Sequence, residues 1–131
     1  YVELFGEEAL LSSQIKDDIK QQWQTGNPAH WIYKIVDNNQ VVAFFTLAES
    51  FSFFAHGRYG IINELWVSPD FRAQGVGGKV LNFIKELAHE KNWQRIDVSA
   101  PPFDEWIKTF EFYQKYGFTY TGKKLKYLVN K

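Results

Sequence analysis

The chain has no cysteine, no net charge and no long apolar run, and each absence removes a class of function. With Cys 0 among 131 residues there is no disulfide framework, no thiolate metal site and no cysteine nucleophile. A formal net charge of +0 gives no broad electrostatic footprint for nucleic acid, although a zero total still permits a local basic groove. No apolar stretch approaches the roughly 20 residues of a membrane-spanning helix, and the first residues do not read as a signal peptide. The cytosol is the expected compartment, with neither membrane nor nucleic acid as partner. His30 and His89 have no companions at metal-ligand spacing, so no metal is expected.

What remains is ample for a core. Hydrophobic residues make up 45% and aromatics 18% of the chain, and its length fits a single domain over residues 1–131. Ser12 or Ser13 can cap a helix whose stripe is Ile15, Ile19 and Trp23, ending near Thr25-Gly26-Asn27-Pro28. Trp31 to Val36 and Val41 to Ala48 read as strands joined at Asp37-Asn38-Asn39-Gln40. A second hairpin has Ala55-His56-Gly57-Arg58 at its tip and Gly60 to Val67 as the returning strand. Val80, Leu81, Ile84, Leu87 and Ala88 recur at helical spacing up to about Lys91-Asn92. Arg95 to Ser99 is a short strand, and Asp104 opens a helix with Trp106, Ile107, Phe110 and Tyr113 on its apolar side. Gly117 is a natural residue to end it. Phe118 to Thr121 and Lys124 to Val129 read as a last hairpin around Gly122. The sum is α/β (α+β): a mixed, mostly antiparallel sheet flanked by helices.

The densest signal runs from Glu64 to Leu81: an apolar strand, a Pro69 turn, a glycine-rich loop and an amphipathic helix. That order sets unobstructed N–H groups at the positive end of a helix, where phosphate binds. A Walker A loop is excluded, because Ala73 stands where glycine is required and Val80, with no hydroxyl for Mg²⁺, follows Lys79. A dinucleotide fingerprint starting at Gly75 meets Val80 at its last glycine and lacks a preceding βαβ frame.

Arg72-x-x-Gly75-x-Gly77 instead resembles the [QR]-x-x-G-x-[GA] signature of the GNAT superfamily, the acyl-CoA-dependent N-acyltransferases. Three more segments match it in order: Glu64-Leu65-Trp66-Val67-Ser68-Pro69, Ile96-Asp97-Val98 and Phe112-Tyr113-Gln114-Lys115-Tyr116-Gly117-Phe118. The resemblance runs from about residue 30 to the C-terminus. It implies a GNAT-like sheet whose usual first strand is missing or lies upstream of Tyr1, since Tyr1-Val2-Glu3-Leu4-Phe5 reads like the tail of the first helix. It also implies acetyl-CoA (coenzyme A) as acyl donor co-substrate, a primary amine as acceptor, and direct attack in a ternary complex without metal. No serine triad assembles from the sequence, and an acyl-cysteine route is closed.

The roles implied by the resemblance follow from what acyl transfer requires. Main-chain N–H groups of Gln74, Gly75, Val76, Gly77, Gly78 and Lys79 would hold the pyrophosphate, with Arg72 as a charged donor or a brace for the loop. A Cβ at Gly75 or Gly77 would crowd that approach. The backbones of Leu65, Trp66 and Val67 would face the thioester and the pantetheine arm, where one preorganised N–H is worth roughly 3–4 kcal/mol; their side chains are core. An alkyl amine of pKa about 10.4 is free in only on the order of one molecule in 10³ at neutral pH. Glu64 would take its proton, directly or through a water, provided burial in the strand makes the carboxylate basic enough; the plainer reading is pairing with a cation or solvent. Strand alternation puts Asn63 on the opposite face. Tyr113 would protonate the departing thiolate, or is simply a core aromatic.

Relatives often carry Asn where this chain has Trp106, so the usual Asn contact with the donor is in question. Trp106 then packs on the pantetheine arm, closes an acceptor pocket or fills core. Phe51, Phe53 and Tyr59, with Phe54, either shape an acceptor pocket or form a homodimer surface. His56 reads as a solvated turn residue. The competing reading of the whole chain is a non-catalytic CoA-binding or regulatory module of the same fold; a purely structural domain is a third.

Overall fold

The computed structural model describes residues 29–72, 74–99, 107–122 and 124–129. The chain divides between His30 and Trp31, and the unit Trp31–Lys131 is described by itself. The expected helix around Ile15, Ile19 and Trp23 lies outside the described residues. So do Ala73, Ala100 to Pro102, Asp104, Trp106 and Lys123.

Strand β1 (His30–Asp37) turns into β2 (Gln40–Ser52) through Asn38 and Asn39 alone. Their φ values of 50° and 64° are the left-handed pair that a tight hairpin demands, and asparagine tolerates it. The tip between β2 and β3 (Gly57–Val67) is residues 53–56, two residues earlier than the composition suggests. Ser52 Oγ accepts the Ala55 N–H at 3.2 Å, the Phe53 carbonyl accepts the His56 N–H at 3.0 Å, and His56 adopts φ 60°. After a single turn of 3-10 helix at Pro69–Phe71 come α1 (Val76–Glu90), β4 (Ile96–Val98) and α2 (Ile107–Lys115). The sheet order is β1-β2-β3-β4, with β2 and β3 antiparallel and β3 and β4 parallel. This is the mixed, mostly antiparallel sheet with helices that the pattern predicts.

One face of the sheet carries the core. Ala43, Phe45 and Leu47 from β2 and Ile62 from β3 meet Val80, Leu81 and Ile84 of α1, all at most 2% exposed. Burying a Leu or Ile stabilises by about 1.5–3 kcal/mol, so these few residues fix how α1 lies on the sheet. Tyr33 stacks on Phe45 at 5.0 Å, bringing β1 onto the same face.

Both helices end in the same way. At α1 the left-handed residue is Asn92 (φ 58°); the Trp93 N–H reaches the Ala88 carbonyl at 2.9 Å and the Asn92 N–H reaches His89 at 3.2 Å. At α2 it is Gly117 (φ 95°), with Phe118 N–H to Tyr113 carbonyl at 3.0 Å and Gly117 N–H to Gln114 at 3.1 Å. These are Schellman caps, which satisfy carbonyls left over at a helix end. Each delivers an aromatic residue, Trp93 or Phe118, back to the core. Lys85 Nζ adds a bond to the Tyr116 carbonyl at 2.6 Å, a cation at the negative end of α2.

Two expectations change. Among the described residues, those from Phe118 to Val129 form no strand, and Leu125, Tyr127 and Val129 are 91%, 88% and 82% exposed. Gly122 has φ 150°, a backbone that favours glycine, but no turn forms there among the described residues; a strand needs a pairing edge as well as alternation. Ile107, assigned to the apolar side of its helix, is 59% exposed.

Candidate active site

Strand β3 changes phase in its middle. Thr46 pairs with Glu64 while the next residue, Leu47, pairs with Ile62, which leaves Asn63 as the extra residue of a β-bulge. Up to Ile62 the strand is held on both sides, because Gly60, Ile61 and Ile62 pair with Ile96, Asp97 and Val98. There the ladder to β4 ends, at the bulge.

The bulge decides which way each amide points. Before it, the Gly60 N–H donates to the Arg95 carbonyl at 3.0 Å, so even-numbered amides face β4. After it, the Ser68 N–H donates to Val42 at 2.9 Å and the Glu64 N–H to Thr46 Oγ1 at 3.1 Å, so even-numbered amides now face β2. The period of two then turns the N–H groups of Leu65 and Val67 to the β4 side, beyond the last pair of that ladder. Trp66 differs from its sister residues: its N–H turns toward β2, and only its neighbours present amides to the gap. The Leu65 and Val67 side chains pack against the core, as expected.

Side chains change face with the amides. Ile62 and Leu65 both lie on the core face, so Glu64 is moved to the opposite one, where its partner is Thr46. An uninterrupted strand would have kept Glu64 beside Ile62. Asn63 is the unpaired residue, so the alternation that put it opposite Glu64 does not run through it. Glu64 is exposed rather than buried; what fixes it is Thr46, itself 7% exposed, whose hydroxyl donates to Glu64 Oε2.

The glycine loop opens α1 without a side-chain cap. Gly75 is the N-cap at φ 80°, a backbone that any Cβ would strain, and no atom lies within 4 Å of where one would stand. Gly77 and Gly78 also answer to helix packing. A Cβ on Gly77 would come within 2.9 Å of the Phe112 ring, and one on Gly78 would collide with the Tyr116 hydroxyl. Both therefore serve as the groove in which α2 lies. The Lys79 N–H is already used inside the helix, donating to Gly75 at 3.1 Å; Lys79 offers its exposed side chain instead. The uncommitted donors are the first amides, from Gly75 through Val76 and Gly77 to Gly78. Arg72 ties loop to strand, its Nε donating to the Val67 carbonyl at 2.9 Å, and Gln74 Nε2 donates to Asp70 at 2.8 Å.

Tyr113 is 8% exposed within the core cluster, with Phe112 at 5.2 Å and Phe118 at 5.5 Å. Burial pushes its hydroxyl up to about 12 from the usual 10.0, so it stays protonated throughout the neutral range. Tyr113 belongs to the core face and Glu64 to the other. The two candidate groups thus lie on opposite sides of the sheet.

The aromatic residues of the β2–β3 tip are not part of this place. Phe51 pairs with Arg58, five steps along the ladder from the Thr46–Glu64 pair, or about 17 Å at ~3.3 Å per residue. Phe51 and Phe53 are exposed at 66% and 92%, whereas Tyr59 is buried at 9% against Phe54. Arg95 lies over Phe54 at 4.7 Å and is fixed to Asp97 by bonds of 2.7 and 2.9 Å. No group of three or more His, Asp or Glu suited to a metal occurs among the described residues. None of their helices is long and apolar enough to cross a membrane.

A strand whose parallel ladder ends at a bulge, followed by an uncapped glycine-rich helix start, agrees with the comparison to known proteins. The model of the acetyltransferase (GNAT) family matches residues 2–118, and the chain belongs to that family. No curated protein matches. Solved structures show the same fold at low identity. A predicted acetyltransferase with acetyl-CoA from Clostridium acetobutylicum is 22% identical, with TM-score 0.76 over 97% of this chain and 83% of that one. Glucosamine-6-phosphate N-acetyltransferase from Arabidopsis thaliana is 18% identical, with TM-score 0.73 over 99% and 89%. An aminoglycoside acetyltransferase from an uncultured soil metagenomic sample, in complex with trehalose, is 16% identical, with TM-score 0.76 over 98% and 82%.

Proposed function

We propose that this chain, as one domain, is an N-acetyltransferase that uses acetyl-CoA and a primary amine in a ternary complex. The observation that carries the reading is the phase change at Asn63. It turns the Leu65 and Val67 amides toward the β4 side of β3, beyond the end of that ladder, and the same strand leads within a few residues to the uncapped start of α1. When bound, the donor supplies an acetyl group activated as a thioester.

The chain's own groups fit such a donor. The amides from Gly75 to Gly78 and the helix dipole suit a diphosphate, and no side chain competes for them. Lys79 and Arg72 add positive charge at the loop. The Leu65 and Val67 amides are placed to donate to an oxygen that gains charge, where fixed donors are worth most. Glu64 takes a proton from the acceptor's ammonium group, as a carboxylate held by Thr46 and open to solvent on its face. Tyr113 keeps its proton at neutral pH and donates from the core face toward the departing sulfur.

A screen of primary amines with acetyl-CoA, read by release of free thiol, tests the reading. Turnover that falls at least 10-fold in Glu64→Gln, with CoA binding retained, supports it. A specific observation favours a second reading, a CoA-binding module without turnover: Glu64 is exposed and Tyr113 sits among core aromatics. CoA would then raise the melting temperature, by about 2.7 kcal/mol of stabilisation at 100 times its Kd, and no amine would release thiol. A melting temperature indifferent to CoA would remove both.

A further inference from the structure

We propose that Thr46 is the positioning residue for Glu64, and that the Asn63 bulge and the Thr46 hydroxyl together aim this carboxylate at the acceptor amine. The inference rests on the reading of Glu64 as the base.

The Thr46 hydroxyl meets Glu64 twice. It accepts the Glu64 backbone N–H at 3.1 Å, and it donates its single proton to Glu64 Oε2. A hydroxyl has one proton to give. With the backbone N–H directed at its oxygen, that proton is committed to the carboxylate, which accepts it in the ionised form. Backbone and side chain of one residue are thus locked by one neighbour. A free Glu has three side-chain rotations to lose; this one has its far end tethered to the strand beside it.

The place of Thr46 in the ladder explains why the bond is possible. Thr46 and Glu64 are the last matched pair before the register shift, and Leu47 is already paired with Ile62. The bulge brings Glu64 onto the same face as Thr46, opposite the core. Thr46 is one of only two buried polar residues among those described, the other being Ser68. A buried hydroxyl inside a strand is costly unless bonded, and here its partners are both atoms of Glu64. Valine would fill the same volume with better packing. A hydroxyl at this site is therefore best accounted for by what it does to the carboxylate.

Glu64 is exposed, so solvent would otherwise let it swing. A general base must stay within hydrogen-bond reach of the proton it removes, and a misplacement of about 1 Å can cost on the order of 100-fold. The second carboxylate oxygen, Oε1, is the one left to meet the acceptor.

The test is kinetic and uses five chains: wild type, Thr46→Val, Thr46→Ser, Glu64→Gln and the double variant Thr46→Val/Glu64→Gln. Acetyl-CoA is the donor, and the acceptor is the best amine returned by the thiol-release screen. Thr46→Val is expected to lower kcat about 10-fold or more, with KM for acetyl-CoA unchanged and its melting temperature within a few degrees of wild type. Thr46→Ser restores most of kcat. In the Glu64→Gln background, Thr46→Val has no further effect, because there is no carboxylate left to aim. Equal losses in both backgrounds would mean that Thr46 only supports the strand, and would overturn the inference. If Glu64→Gln loses rate and Thr46→Val does not, the positioning role falls while the base role stands. If Glu64→Gln keeps full rate, or no amine in the panel is turned over, both fall together.

Discussion

Gly78 lies so close under the Tyr116 hydroxyl that a Cβ on the glycine would occupy the same space. The glycine loop is therefore also a helix-packing surface, and the two roles separate by substitution. Gly78→Ala is expected to cost about 1–3 kcal/mol in urea unfolding without any ligand, from overpacking against α2. Gly75→Ala has room for its methyl group and loses only about 1–2 kcal/mol, from the left-handed backbone at φ 80°. An unchanged midpoint for Gly78→Ala would mean that α2 does not rest on this groove.

Arg72 ties the glycine loop to β3 through its guanidinium, and in the proposed function this braces the donor site. Its Nε donates to the Val67 carbonyl, which shares a peptide strand with the amides facing the gap. Lysine keeps the charge but not the fixed donor. Arg72→Lys is expected to weaken CoA binding about 10-fold by titration calorimetry, since a hydrogen bond from a charged group is worth about 1.5–3 kcal/mol. Equal affinity would reduce Arg72 to a solvent-facing cation.

Stability should depend on pH through Tyr113. Its hydroxyl titrates near 12 in the folded chain against about 10 unfolded. Below about pH 10 both states hold the proton and the contribution is fully present. Between about 10 and 12 the unfolded chain releases it first, so stability falls as pH rises, by roughly 2–3 kcal/mol. The difference between wild type and Tyr113→Phe, followed by denaturant unfolding across that range, isolates this contribution from the other tyrosines. Parallel curves would show that the hydroxyl is not buried.

Much of this was legible in the residues because it is local. Asn38-Asn39 announced a two-residue hairpin, Gly117 a helix end, and the run from Glu64 to Leu81 a strand, loop and helix. The family resemblance rested on those same local segments, and the family match agrees with it. What could not be read was set by distant partners. Gly77 and Gly78 answer to Phe112 and Tyr116 on a later helix. The face of Glu64 depends on one unpaired residue, and a strict period of two gives the opposite result. A signal was there: Asn63-Glu64 is a pair of adjacent polar residues breaking an apolar strand, a pattern that alternation alone does not produce. Phe51 and Phe53 gathered near the site in sequence but lie a strand's length from it. Residues 118–129 show the limit, since alternation without a pairing edge left them outside the sheet among the described residues.

The split character of β3 has a signature in isotope labelling. Gly60 and Ile62 have their hydrogens tied between strands, whereas those of Leu65 and Val67 point where the described sheet offers no neighbour. In deuterated buffer the first pair would be shielded for long periods and the second would swap within a short time. A single strand would thus carry slow and fast sites three residues apart, and occupancy by an acyl donor would slow only the fast ones.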